Sequence, residues 1–286
     1  ENALKRKATL LYTQGCNIWR NRQLQKNGEF DKPLNWGDEN ELKKEALKIA
    51  KEADVIVCAM GESADMSGEC GSRTNLEMPD VQHELLAELV KMGKPVVLLN
   101  FAGRPTVLSW EKQYVPAIMN VWFGGSEMGD ALCDVIFGDK VPSGKLTTSM
   151  PKTTGQAPIY YNHQNTGRPV PDDNKEFAKY ASNCLDVSNG PLYPFGYGLS
   201  YTTFEYSNFK LSSQEADING NQEATEWQNG KKITATVTVK NTGARDADEV
   251  VQLYIRDMVA SISRPVKELK GFQRIHLVAG ESKEVS

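Results

Sequence analysis

The chain has 286 residues, 40% hydrophobic and 24% charged, with a formal net charge of −4; at roughly 100–200 residues per domain, two globular domains are expected. This mildly acidic balance argues against nucleic acid or an anionic membrane surface as the main partner, and no apolar run approaches the ~20 residues that span a bilayer. The sequence shows no signal-peptide pattern and its first residue is not Met, so it is expected to be a mature or excised piece, with no cellular address written in it.

From residue 8 to about 150, short apolar runs alternate with amphipathic helical patterns. "TLLYTQG" reads as a strand. Residues 40–53 place Leu42, Ala46, Ile49, Ala50 and Ala53 at helical spacing, with lysines and glutamates opposite. "VIVCAM" follows, an unbroken apolar run that suits a strand covered on both faces. The next helix starts at Pro79 or Asp80, buries Val81, Leu85, Leu89 and Met92, and ends at Gly93. "PVVLLN" is a strand, "PTVLSW" a short helix, and "AIMNVW" a strand. "SEMGDALCDVIFG" is a helix capped by Ser126 and stopped by Gly138, and "PSGK" is a turn entering one more strand. Such alternation implies an α/β fold with a mostly parallel sheet flanked by helices.

Residues 151–205 lack periodicity and are rich in Pro, Gly, Asn and Tyr, which reads as a linker packed by its aromatics. The texture then changes to period two. Ile233, Ala235, Val237 and Val239 alternate with threonines up to an Asn-Thr-Gly turn, so residues 206–286 read as an all-β sandwich. It is expected to be C-terminally incomplete, because a full sandwich takes about 100 residues.

Ligands of open α/β sheets gather at the carboxyl ends of the strands. Three loops leave such ends: "GESADMSGECGSRTN" (residues 61–75), "NFAGRP" (100–105) and "WFGGSEMG" (122–129). The first carries Glu62 and Glu69 in a Gly- and Ser-rich stretch without apolar period. Gly68 and Gly71 allow a tightly turned backbone around Glu69, and Ser67 and Ser72 can hydrogen-bond a carboxylate or the local backbone. A general acid must hold its proton at the working pH, so an arginine paired with it works against the task. Arg73 is therefore expected to order the loop, through Glu62 or Asp65, rather than to touch the reacting oxygen. Taken alone, the loop is better explained as a solvated charged surface than as a catalytic one.

Other chemistries fit poorly. The five cysteines and three histidines show no metal-ligand spacing, so no metal or cofactor is expected. Cys58 and Cys133 read as buried thiols and Cys70 as a small loop residue with no histidine base nearby. "GGSEMG" lacks the lysine of a phosphate loop, and Met128 stands where a nucleophile elbow needs glycine.

Several stretches together resemble glycoside hydrolase family 3, of the β-glucosidase and β-xylosidase type. They are "ADVIVCAMGE…SGECGSRTNLEMPDVQHELL", "GKPVVLLNFAGRP", "WFGGSEMGDALCDVIFGDKVPSGKLTTSMP", "PIYYNHQNTGRP" and "YPFGYGLSYTTFEYSN". The later "VTVKNTGARDADEVVQLYI…PVKELKGFQRIHLVAGES" is similar to the fibronectin type III-like domain of three-domain members. The resemblance implies an α/β sandwich domain over residues 1–150 with its N-terminal strand missing, a packed linker over 151–205, and an immunoglobulin/fibronectin III-like sandwich over 206–286. It implies a retaining, exo-acting β-glycosidase with two carboxylates about 5 Å apart. The nucleophilic aspartate would lie on an absent N-terminal (β/α)8 barrel, and Glu69 matches the acid/base. Glu62 matches a recurrent, loop-bracing position. "SGEC" departs from the more common "SGEG" at Cys70, which leaves the choice between β-glucosidase and β-xylosidase or α-arabinosidase open. Expected partners are an oligosaccharide or aryl-glycoside substrate, the barrel of the same protein and, through apolar surface at the Glu69 rim, a second copy in a homodimer. An extracytoplasmic (periplasmic or secreted) location goes with that role. The reading from a different class is a non-catalytic carbohydrate-binding or scaffolding segment, its platform drawn from Trp36, Trp110, Trp122 and Tyr161.

Overall fold

The computed structural model of the chain describes residues 8–20, 36–69, 71–213 and 233–286. They form two compact units. One comprises the described residues within 1–133, 146–195 and 257–266, the other those within 134–145, 196–256 and 267–286.

In the first unit, helix α1 (Glu39–Glu52) begins where the Asp38 carboxylate accepts the amides of Asn40 and Glu41 at 3.0 and 3.1 Å. It leads into strand β1 (Ile56–Gly61), the single-turn helix α2 (Ala64–Ser67), helix α3 (Asp80–Lys91), strand β2 (Val96–Phe101), helix α4 (Ser109–Tyr114) and strand β3 (Ala117–Asn120). The three strands form a parallel sheet in the order β1-β2-β3. Ala46 and Ala50 of α1 and Leu85, Leu86 and Leu89 of α3 pack with Ile56, Cys58 and Met60 of β1 and Val96 and Leu98 of β2. Helix α5 (Met128–Ile136) follows β3.

Several expectations need correction. "TLLYTQG" forms no strand, since residues 8–15 adopt no regular element. β1 is covered on one face only: Ile56, Cys58 and Met60 are buried, but Val57 is 47% exposed. An unbroken apolar run cannot report coverage, because it reads the same whether or not a second layer lies over it. The helix expected at "PTVLSW" starts later, at Ser109, because Val107 instead bridges to Glu77. α5 begins two residues beyond Ser126, which therefore is not its cap. The strand after "PSGK" reduces to one bridge between Met150 and Tyr193.

Between the short 3₁₀ helix Thr154–Gln156 and residue 203, the described chain has only turns and isolated bridges. Tyr161 stacks on Phe195 there, with centroids 4.1 Å apart.

The second unit is antiparallel β. Strands β4 (Phe204–Leu211), β5 (Ala235–Asn241), β6 (Ala247–Ile255), β7 (Glu268–Leu277) and β8 (Ser282–Val285) form two sheets, β4-β5-β8 and β6-β7. Val239, Val251, Ile275, Leu277 and Val285 make its core. The Asn-Thr-Gly turn is built around fully buried Asn241, whose amide donates to the carbonyls of Arg245 and Leu277 while its oxygen accepts from Thr202 and Gly243.

Candidate active site

The loop after β1 starts at a glycine that the backbone demands. Gly61 sits at φ +131°, and a Cβ there would lie 1.9 Å from the Phe101 carbonyl oxygen. Gln82, buried on α3, clamps this end of the strand: it accepts the Gly61 amide at 2.6 Å and donates to the carbonyls of Gly61 and Ile18 at 2.8 and 2.7 Å. The neighbouring β2 end is fixed likewise, with Asn100 donating to Asn120 and Thr106 at 2.8 and 3.1 Å.

Glu62 follows directly, its side chain 1% exposed. Its Oε1 accepts from Arg73 Nη1 at 2.8 Å and lies 3.2 Å from Arg104 Nε, while Oε2 accepts from the Ser67 hydroxyl. Burial alone would push this carboxyl up; the bonds from Ser67 and Arg73 and the charges of Arg104 and Arg73 outweigh it and hold it below its ordinary value. Glu62 is accordingly a braced anion with no proton to give.

Glu69 is its opposite. It is exposed, just past α2, on a turn in which the Gly71 amide donates to the Gly68 carbonyl at 3.0 Å. Among the described residues, no side chain pairs with its carboxylate, so it is free to act on a ligand. Both roots of its turn are held from below by Arg104, whose Nη2 donates to the carbonyls of Met66 and Gly71, the latter at 2.8 Å. Arg73 Nη2 donates to the Glu77 carbonyl at 2.9 Å, and its guanidinium lies 5.2 Å from the centroid of the Trp19 ring.

The loops after β1 and β2 thus share one ionic hub, and the loop after β3 reaches the same rim. A Cβ on Gly103 would lie 2.5 Å from that of Ser67 and 3.1 Å from the Phe123 ring. Trp122 beside it holds φ +54°, unusual for a bulky residue.

Arg73 therefore orders the loop through Glu62, as expected, and Glu62 and Glu69 share the loop in different states. Arg104 and Gln82 were not singled out by sequence. The one signal for Arg104 was its place after a glycine in "NFAGRP"; Gln82 looked like one more polar residue on a helix. Of the platform candidates, Trp110 packs between His83 and Tyr114, at 4.6 and 5.0 Å, and Tyr161 is taken up by Phe195. Cys70 lies outside the described residues. Cys58 is an inert thiol, because burial first, with Cys16 adding, pushes it up to about 12. Among the described residues no cluster of His, Cys, Asp and Glu could hold a metal ion.

A family model for the glycosyl hydrolase family 3 C-terminal domain matches residues 2–201, and one for the fibronectin type III-like domain matches residues 249–286. The chain is 44% identical over its whole length to a periplasmic β-glucosidase of Salmonella typhimurium, covering 36% of that protein. It is 41% identical, over 85% of its length, to a β-xylosidase of Formosa agariphila, covering 31% of it. Among solved structures, a β-glucosidase from Listeria innocua in complex with glucose is 40% identical over 85% of the chain and 32% of its own, with a TM-score of 0.75. Another, a β-glucosidase from Erythrobacter marinus, is 32% identical over 99% of the chain and 36% of its own, with a TM-score of 0.77. The chain spans about a third of the length of these relatives. With a parallel sheet bearing the braced carboxylate loop and an antiparallel β unit beside it in sequence, this chain belongs to glycosyl hydrolase family 3.

Proposed function

We propose that the chain is the part of a retaining, exo-acting β-glycosidase, a β-glucosidase in the first instance, that supplies the general acid/base Glu69. The nucleophilic aspartate would come from a (β/α)8 barrel N-terminal to it. In this reading residues 1–150 are the α/β sandwich domain, 151–205 a packed linker, and 206–286 the fibronectin-like domain. The observation that carries the reading is the exposed Glu69 carboxylate, without a side-chain partner among the described residues, presented by an ionic hub at the carboxyl end of β1.

The chemistry then runs in two displacements. The barrel aspartate attacks the anomeric carbon, the glycosidic C–O bond breaks, and the Glu69 proton passes to the departing oxygen. The Glu69 carboxylate next takes a proton from water as that water's oxygen attacks the same carbon and expels the aspartate. Splitting the carboxylates between domains lets closure exclude water and align the acid with the glycosidic oxygen.

The names of the Salmonella and Listeria relatives favour β-glucosidase and that of the Formosa relative favours β-xylosidase; the periplasmic relative supports an extracytoplasmic location. The test is Glu69→Gln in the complete gene product, on cellobiose and on an aryl β-glucoside with an activated leaving group. Loss of a general acid should lower kcat/KM for cellobiose by about 10²–10⁴-fold and spare kcat/KM for the activated substrate, whose leaving group needs no proton, while kcat on that substrate falls because deglycosylation lacks its base. Equal kcat/KM for wild type and variant on cellobiose would refute the assignment.

A further inference from the structure

Glu69 has no side-chain partner among the described residues, yet a general acid must be held to within a fraction of an ångström of its target oxygen. The hold comes from the backbone. The turn that carries Glu69 runs from Met66 to Gly71, and one nitrogen, Nη2 of Arg104, accepts no other task than to bond the carbonyls at its two ends. The other side of the same guanidinium, Nε, lies 3.3 Å from Glu62 Oε2 and 3.2 Å from Oε1. Glu62 is immobile in turn, because its amide donates to the Phe101 carbonyl at 2.7 Å and its carboxylate is gripped by Arg73 and Ser67. Finally, the Gly103 amide donates to the Ser67 hydroxyl at 3.3 Å, tying the loop that bears Arg104 back to the root of the turn.

We propose that Arg104, locked by the buried Glu62 carboxylate, is a positioning residue for the proton donor: it fixes Glu69 by pinning both ends of its turn to the rim of the parallel sheet. A planar fork can bond a carboxylate and two carbonyls at fixed angles, and a lysine ammonium cannot keep that geometry. Arg104 touches no reacting atom. It acts only through Glu69, and so rests on the reading of Glu69 as the acid.

That dependence gives the test. In the complete gene product, Arg104→Ala and the charge-keeping Arg104→Lys are measured alone and combined with Glu69→Gln, with melting temperatures in parallel. A misplacement of about 1 Å is expected to lower kcat/KM on cellobiose by roughly 10²-fold for Arg104→Ala, and by less for Arg104→Lys. Both variants should keep kcat/KM on the activated aryl β-glucoside within about threefold of wild type, because that ratio reports glycosylation, in which this leaving group needs no proton. In the Glu69→Gln background, Arg104→Ala should remove nothing further on cellobiose. Losses that are equal on the two substrates, or that multiply with that of Glu69→Gln, would mean that Arg104 is only a structural brace and would overturn the proposal. If Glu69→Gln itself spares cellobiose, the acid assignment fails and the proposal falls with it, a result distinguishable from failure of Arg104 alone.

Discussion

Glu62 and Glu69 stand seven positions apart and are held in opposite electrostatic states, and the difference has a measurable consequence in acid. The Glu62 carboxyl lies below its ordinary value in the folded chain, so its contribution is complete above that value and is lost as pH falls through the lowered one. Glu62→Gln leaves two guanidiniums without their counter-charge, at an expected cost of about 3–5 kcal/mol at neutral pH. The variant should also lose less stability than wild type on acidification, because it has no such anion to protonate. Chemical denaturation at neutral and acid pH checks this, and parallel losses in the two proteins would contradict it. Glu111 reverses the sign: burial first, against a backbone bond and His83 at 3.3 Å, raises its carboxyl. Wild type should therefore lose stability relative to Glu111→Gln as pH rises past the ordinary carboxylate range, a trend the same titration would show. Residue by residue, sequence marked out both glutamates and Arg73, because carboxylates among glycines have no packing role. It could not mark Arg104, because the turn is held by backbone carbonyls, which leave no imprint on side-chain pattern.

At the scale of elements, what positions the site is the end of β1. Gly61 has its amide and carbonyl clamped by Gln82 and no room for a methyl group beside Phe101. Gly61→Ala combines a forbidden contact with an unfavourable backbone angle, and roughly 3 kcal/mol or more of destabilisation is expected. A melting temperature within a degree of wild type would show that the strand end can relax. The helices α1 and α3 were legible because their apolar spacing reports one buried face directly, whereas β1 and β2 were legible only as short unbroken apolar runs, which mark a strand without saying how many of its faces are covered. "TLLYTQG" misled for the same reason: Leu10 and Tyr12 have strand-like composition but stand 64% and 81% exposed. Composition gives a strand its propensity, and only a hydrogen-bonding neighbour makes it one.

For the whole molecule, the proposal divides one reaction between this chain and a barrel outside it. The chain alone is expected to show no hydrolysis of an aryl β-glucoside above background, since it would lack the nucleophile; turnover that Glu69→Gln abolishes would contradict that. Val57 on the uncovered face of β1 and Val55 just before the strand are 47% and 51% exposed, so association of the isolated chain through apolar surface is expected in sedimentation at rising concentration. The order of a parallel sheet followed by antiparallel β was legible from the switch between helical spacing and period two. The substrate was not, because no sugar-contacting side chain is marked by any spacing in this stretch.

On the reading proposed above, Glu69 both gives and takes the proton. Its most direct test is product analysis of Glu69→Gln in the complete gene product, with the activated aryl β-glucoside and added azide. If Glu69 is the acid/base, the variant forms its glycosyl-enzyme but cannot activate water, and azide, which needs no base, should restore turnover and yield the β-glycosyl azide. If azide changes neither rate nor product and cellobiose is still cleaved, Glu69 is not the acid/base.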